Sequence, residues 1–90
     1  MARAERIFLI VNALGLHARA AAQLVQTSNR YHCEIHVEKD GMEVNGKSIM
    51  GVLTLAAAKG TQITVTCTGD DAEAALQALA ALIENGFGEK

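Results

Sequence analysis

The strongest constraint on the fold of this 90-residue chain is the alternation of apolar and polar side chains in two short segments. Successive side chains of a β-strand point to opposite faces of the sheet, so each segment is predicted to be a strand with one buried face. The apolar positions are Cys33, Ile35 and Val37 in the first segment, and Ile63, Val65 and Cys67 in the second. A sheet made from such strands needs a cover on its apolar face, and the opposite face is expected to be polar.

Two further strands complete the predicted sheet. The apolar run from Ile7 to Val11 is too short for a helix and predicts a central strand. Asp40 and Gly41 predict a tight hairpin turn, because glycine adopts the positive φ that such a turn requires, and residues 42–45 then form the returning strand.

Three helices are predicted to cover the sheet. The first spans about residues 18–29, with Ala18, Ala21, Ala22 and Val25 on one stripe. Ser48 is predicted to cap a short second helix through its hydroxyl group. The third helix begins at residues 70–73, which resemble a capping box, and ends at Asn85 and Gly86.

The resulting element order is βαββαβα. It predicts a single α+β domain over residues 1–90, an open-faced two-layer β-sandwich with a four-stranded antiparallel sheet covered on one face by three helices.

Composition argues against several functions. The formal net charge of -2 gives no basic surface for nucleic acid, and only three aromatic residues, Phe8, Tyr31 and Phe87, could stack on bases. No apolar run approaches the ~20 residues of a membrane span, and the N-terminal apolar run is interpreted as a strand and not as a signal peptide. Cys33 and Cys67 have no metal-binding or redox-motif spacing, so we expect reduced thiols, a cytoplasmic protein, and no metal or cofactor.

The segment Gly15–Arg19 carries the functional signal. Gly15 permits a sharp turn between the first strand and the first helix, which places His17 at about the N-cap. The positive helix end disfavours imidazolium, and the free N–H groups of the first turn can receive the oxygens of a phosphoryl group. Arg19 adds a charged fork within reach of those oxygens. A nucleophile with an anion cradle and no nearby acid–base group is typical of a phosphoryl carrier, because a carrier must not activate water.

Two motifs resemble those of a known family. Residues Gly15–Arg19 resemble the phosphohistidine signature of the HPr phosphocarriers of the bacterial phosphoenolpyruvate:sugar phosphotransferase system. Residues Asn45–Val52 resemble the regulatory-serine signature of the same family, and the spacing of the motifs also matches. The chain departs from the commonest signature at Ala20, where the family usually has proline in the first helical turn.

The resemblance implies a role for the chain. His17 would accept a phosphoryl group from enzyme I on Nδ1, assisted by Arg19, and pass it to the IIA domains of sugar permeases. Ser48 would be phosphorylated by a regulatory kinase, with a kinase/phosphorylase and a transcriptional regulator as further partners. The chain would be a substrate of enzymes and not itself an enzyme, and we expect a monomer.

Partner contacts are predicted around His17 at five apolar positions, because a short helix cannot bury every side. They are Leu16, Ala20, Ile49, Met50 and Leu53. Two alternatives remain open from the sequence. One is a regulatory paralogue of the nitrogen-related phosphotransfer branch, and the other is a non-catalytic protein-interaction module in which His17 is inert.

Overall fold

A computed structural model of the chain describes residues 2–89. In chain order its elements are β1 (Arg3–Leu9), α1 (Ala18–Ser28), β2 (Glu34–Lys39), β3 (Met42–Asn45), α2 (Ile49–Thr54), β4 (Gln62–Thr68), α3 (Ala72–Glu84) and a short 3-10 turn (Gly86–Gly88). The strands form one sheet in the order β1-β4-β2-β3, and every neighbouring pair is antiparallel. The predicted open-faced sandwich is confirmed.

The core lies between the sheet and the helices. The alternating strands β2 and β4 bury Ile35, Val37 and Val65, which are at most 1% exposed, against the helical layer. Leu24 of α1 and Leu79 of α3 are completely buried on the helical side. Burial of each such side chain contributes about 1.5–3 kcal/mol, so the two alternating segments supply much of the energy that holds the layers together.

Strand β1 differs from its prediction, because it lies at the edge of the sheet and not at its centre. Phe8 and Ile10 point into the core, whereas Ile7 and Leu9 are 63% and 52% exposed on the open face. An unbroken apolar run is typical of a strand buried on both faces, but here only one face is covered. The expectation of a wholly polar open face is therefore wrong at β1.

The buried stripe of α1 is also rotated from the predicted one. Its buried residues are Ala20, Ala21, Leu24, Val25 and Ser28, whereas Ala18 is exposed. The helix contacts both α2 and α3, so the side of it that is buried depends on where these two neighbours lie.

The predicted capping box at the start of α3 does not form. Asp71 occupies the N-cap position but makes no side-chain capping hydrogen bond. Its carboxylate instead accepts hydrogen bonds from the N–H groups of His32 and Cys33, at 2.8 and 2.9 Å. Both bonds hold the pKa of Asp71 below its usual range, and the bond from His32 has the larger effect. The charged carboxylate therefore ties the loop before β2 to the beginning of α3.

Candidate functional site

A tight turn between β1 and α1 builds the site. Gly15 has φ +64, and its N–H donates to the carbonyl of Asn12 at 3.1 Å. The next amide, that of Leu16, donates to the carbonyl of Ala57 at 2.8 Å. A Cβ atom at position 15 would lie 2.3 Å from the carbonyl oxygen of Ala57. Only glycine allows this approach, so the turn is held against the segment that follows α2.

His17 occupies the N-cap of α1 with extended backbone angles, φ -75 and ψ 179, and its side chain makes no capping hydrogen bond. The first amide of the helix with an intrahelical acceptor is that of Ala21, which donates to the carbonyl of His17 at 2.8 Å. The N–H groups of Ala18, Arg19 and Ala20 precede it and have no carbonyl of the helix to bind. Their partial positive charges lie beside a histidine that is 30% exposed.

A pocket of about 90 Å³ opens beside this helix end. His17, Arg19 and Glu89 supply its titratable and charged groups, while Leu14 and Phe87 supply apolar surface. Arg19 is exposed, and its guanidinium presents several N–H donors in one plane, so the pocket combines a nucleophile with donors for anionic oxygens.

Glu89 is a site residue that the sequence reasoning missed. Its Oε2 atom lies 3.3 Å from Nε2 of His17 and accepts a hydrogen bond from Nδ2 of Asn12 at 3.1 Å. Its Oε1 atom accepts the N–H of Leu14 at 3.0 Å. The bond from Asn12, then that from Leu14 and a smaller contribution from His17 lower the pKa of Glu89. The expectation that no acid–base group lies near His17 is therefore wrong.

Asn12 is the second missed residue. Its side chain is only 5% exposed, and besides Glu89 its Nδ2 atom reaches the carbonyl of Gly15 at 2.8 Å. One amide thus joins the turn before His17 to the segment that carries Glu89. The sequence showed little sign of this contact, because the turn that precedes Glu89 contains Phe87, a buried non-glycine residue with positive φ.

The five predicted partner contacts divide into two groups. Ile49 and Met50 are 43% and 76% exposed on α2, and Leu53 is partly buried against the core. Leu16 and Ala20 are only 4% and 1% exposed, so the prediction that their side chains contact a partner is corrected. The side chain of Leu16 packs into the core beneath the turn, and Ala20 belongs to the buried face of α1.

Ser48 caps α2 as the sequence predicts. Its Oγ atom accepts the N–H of Gly51 at 3.1 Å, and the residue is half-buried with extended backbone angles. The hydroxyl oxygen serves as an acceptor, so its own proton is free to be donated elsewhere.

Other regions offer little for competing functions. The two cysteines are free thiols in the core, and residues 2–89 contain no group of three His, Cys, Asp or Glu side chains that could hold a metal ion. Phe8 and Phe87 are buried, so neither can stack on a base. Within the described part of the chain, no helix is long and apolar enough to cross a membrane.

Comparisons with known proteins identify the family of the chain. Residues 4–85 match the family described as the PTS HPr component phosphorylation site. The phosphocarrier protein HPr of Xylella fastidiosa (strain 9a5c) is 49% identical over 85 residues, which cover 94% of this chain and 96% of that protein. The sequence and fold thus define a histidine phosphocarrier of the bacterial phosphotransferase system. The chain belongs to the HPr family.

Solved structures extend the comparison to the fold. HPr-C-His from Thermoanaerobacter tengcongensis superimposes with a TM-score of 0.94 at 46% identity, covering 97% of this chain and 98% of that one. A structure described as an HPr dimer from the same organism has a TM-score of 0.78 at 48% identity, covering 91% and 94% of the two chains. Dimers therefore occur among the relatives of this chain, whereas the sequence led us to expect a monomer.

Proposed function

We propose that this chain carries phosphoryl groups between enzyme I and the IIA domains of sugar permeases, with His17 as the residue that is phosphorylated. The observation that carries the proposal is the position of His17 at the N-cap of α1, beside first-turn N–H groups that have no acceptor within the helix and in one pocket with Arg19. A neutral imidazole supplies the nucleophile, and the amide dipoles and guanidinium stabilise the oxygens of the phosphoryl group.

The absence of turnover is part of this proposal. The chain is a substrate of enzymes, and the pocket beside His17, about 90 Å³, is too small to enclose a sugar. The phosphorylated ring must be presented at the surface, where donor and acceptor proteins can reach it in turn. The exposure of His17 fits that requirement.

The proposal is tested by incubating the protein with enzyme I and phosphoenolpyruvate and measuring its intact mass. We expect the mass of one phosphoryl group to be gained. The adduct should be lost in acid and survive in base, because phosphohistidine is acid-labile and phosphoserine is not. An unchanged mass would favour the interaction-module alternative, in which His17 is inert.

Replacement of Arg19 with alanine should slow transfer and leave His17 able to accept a phosphoryl group. The backbone N–H groups remain in this variant, and one charged hydrogen bond is worth about 1.5–3 kcal/mol, which corresponds to roughly a tenfold to hundredfold loss of rate. Rapid-quench transfer from phosphorylated enzyme I measures the effect, and Arg30→Ala, an exposed arginine just beyond α1, is the control. A rate equal to that of the wild type would make Arg19 a bystander.

We further propose that Ser48 is a regulatory site for a serine kinase or kinase/phosphorylase. A phosphate adds about -1.5 to -2 charges at the position where Ser48 already caps α2, so the free N–H groups of that helix end can donate to its oxygens without a change of fold. The exposed side chains of Ile49 and Met50 follow directly and form the proposed contact with enzyme I. An unpaired anion in an apolar contact is costly, so docking is expected to weaken.

Replacement of Ser48 with aspartate should therefore raise the concentration of carrier needed for half-maximal transfer from enzyme I, with a small effect at saturation. The partial charge mimic is expected to give about a tenfold shift, because burying an imperfectly paired group costs roughly 1–3 kcal/mol. Steady-state transfer over a range of carrier concentrations measures it, with Ser48→Ala as the uncharged control. Identical kinetics for the folded aspartate variant would leave Ser48 as a helix cap alone.

Four finer points belong to the same proposal. Free thiols at Cys33 and Cys67 support the cytoplasm as the compartment. A transcriptional regulator is a candidate partner of the Ser48 form. The identity of the IIA protein that accepts the phosphoryl group distinguishes the sugar branch from the nitrogen-related branch. The sedimentation coefficient of the purified chain distinguishes the monomer expected from the sequence from a dimer.

A further inference from the structure

The carboxylate of Glu89 is held in place by contacts other than the one with His17. Hydrogen bonds from Asn12 and Leu14 fix its two oxygens, and the side chain is only 19% exposed. Asn12 is itself fixed by its bond to the carbonyl of Gly15. The position of Glu89 is therefore set by the same turn that positions His17, and its Oε2 atom lies 3.3 Å from Nε2 of the ring.

We propose that Glu89 is a positioning residue for phosphoryl transfer, which retains the proton on Nε2 of His17 and leaves Nδ1 with the free electron pair. This inference rests on the proposed function and adds a role for a residue outside both recognised motifs. A neutral imidazole carries one N–H, and an acceptor beside one nitrogen selects the tautomer that donates to it. The carboxylate beside Nε2 therefore assigns nucleophilicity to the other nitrogen.

The charge balance of the transfer gives Glu89 a second effect. The electron pair of Nδ1 forms the new bond to phosphorus, while the bond between phosphorus and the donor breaks and its electron pair leaves with the donor. No proton leaves His17 in this step, so the ring keeps its Nε2–H and becomes a phosphoryl-bearing imidazolium. Onward transfer reverses these changes, since the N–P bond breaks, its pair returns to Nδ1 and the ring is neutral again.

An anion beside Nε2 would stabilise the ring of His17 in the phosphorylated state, in addition to the negative charge of the phosphoryl group itself. Among residues 2–89, the other charged or partly charged groups that line this pocket or begin the helix beside it are the guanidinium of Arg19 and the first amides of α1, and both are positive. They favour the phosphoryl oxygens but disfavour a cationic ring. Glu89 is the anion in the pocket, and its contact of 3.3 Å is longer than the ~2.7–2.9 Å of a charge-assisted hydrogen bond. The contact therefore has room to shorten when the ring becomes charged.

The test compares Glu89→Gln with Glu43→Gln. Both variants lose one negative charge, but Glu43 is exposed on β3 in a part of the sheet that contributes nothing to the pocket. Nitrogen-15 NMR of the unphosphorylated protein reports which ring nitrogen of His17 is protonated. We expect the Nε2–H tautomer to dominate in the wild type and in Glu43→Gln, and a mixture of tautomers in Glu89→Gln.

The second readout is the rate of transfer from phosphorylated enzyme I. Loss of a group that orients a reacting histidine is expected to slow transfer about tenfold to hundredfold in Glu89→Gln only. Partial recovery of both readouts in Glu89→Asp is expected, because a carboxylate is restored at a longer reach. Thermal unfolding should be nearly unchanged in Glu43→Gln and slightly earlier in Glu89→Gln, because glutamine keeps only one of the two acceptor oxygens that bind Asn12 and Leu14.

The outcomes separate this inference from the proposed function. An unchanged tautomer ratio in Glu89→Gln, or a changed ratio with an unchanged rate, would overturn the role of Glu89 while the wild type remained a carrier. A wild type that accepts no phosphoryl group would refute the proposed function, and the tautomer ratio would still show whether Glu89 directs the proton of His17.

Discussion

His17→Ala is expected to accept no phosphoryl group from enzyme I, with no measurable residual transfer, while the domain remains folded. Covalent transfer needs a nucleophilic side chain at the N-terminus of α1, and alanine has none. The cost to stability should be small. The histidine is partly exposed, makes no side-chain capping hydrogen bond and lies outside the hydrophobic core. Intact mass after incubation with enzyme I and phosphoenolpyruvate measures acceptance, and thermal unfolding measures stability.

His32→Ala provides the matched control for this experiment. His32 is exposed in the loop before β2, and its backbone N–H, which binds Asp71, is retained in the variant. This control should be phosphorylated at the wild-type rate. An acid-labile phosphate on folded His17→Ala would show that another histidine is the acceptor, and loss of phosphorylation in His32→Ala would direct attention to that loop.

The architecture could be predicted from the sequence because the constraints on it are local. Alternation in β2 and β4 defines their buried faces whatever the neighbours are, and Ser48 needs only the next turn of chain to form its cap. The position of β1 was mispredicted because an apolar run does not reveal how many of its faces are covered. The buried stripe of α1 was displaced for a similar reason, since the two neighbouring helices decide which side of it is enclosed.

The candidate site shows the same division between local and distant contacts. Gly15 and His17 were identified because turn and helix-end chemistry lie within a few residues of each other. Glu89 and Asn12 were missed because their roles arise from contacts between the two ends of the chain. The hydrogen bond between them joins residues that are 77 positions apart in the sequence. A carboxylate beyond the last helix has no sequence signal that assigns it to a histidine beside the first helix. Leu16 was taken for a partner contact for a related reason, because its side chain is buried in a core built from distant parts of the chain.

The turn that positions His17 makes a second prediction with a large effect, on stability. Gly15→Ala should lower the free energy of unfolding by about 2–5 kcal/mol. Two costs contribute to this loss. Alanine in the left-handed region costs about 1–2 kcal/mol, and the added methyl group would lie 2.3 Å from the carbonyl oxygen of Ala57, which forces the backbone to move. Denaturant unfolding monitored by circular dichroism measures the total.

Gly60→Ala separates the two costs. Gly60 has φ +88, and a Cβ atom there would have no neighbour within 4 Å, so this variant has the conformational cost without the collision. We expect a loss of about 1–2 kcal/mol, which for a domain of this size is roughly 4–16 °C in melting temperature, and a clearly larger loss for Gly15→Ala. Gly15→Ala should also transfer phosphoryl groups more slowly, because displacement of the turn moves His17 relative to Arg19. Equal losses in the two variants would mean that the segment after α2 yields to the new methyl group, and the contact between Leu16 and Ala57 would then not be what holds His17 in position.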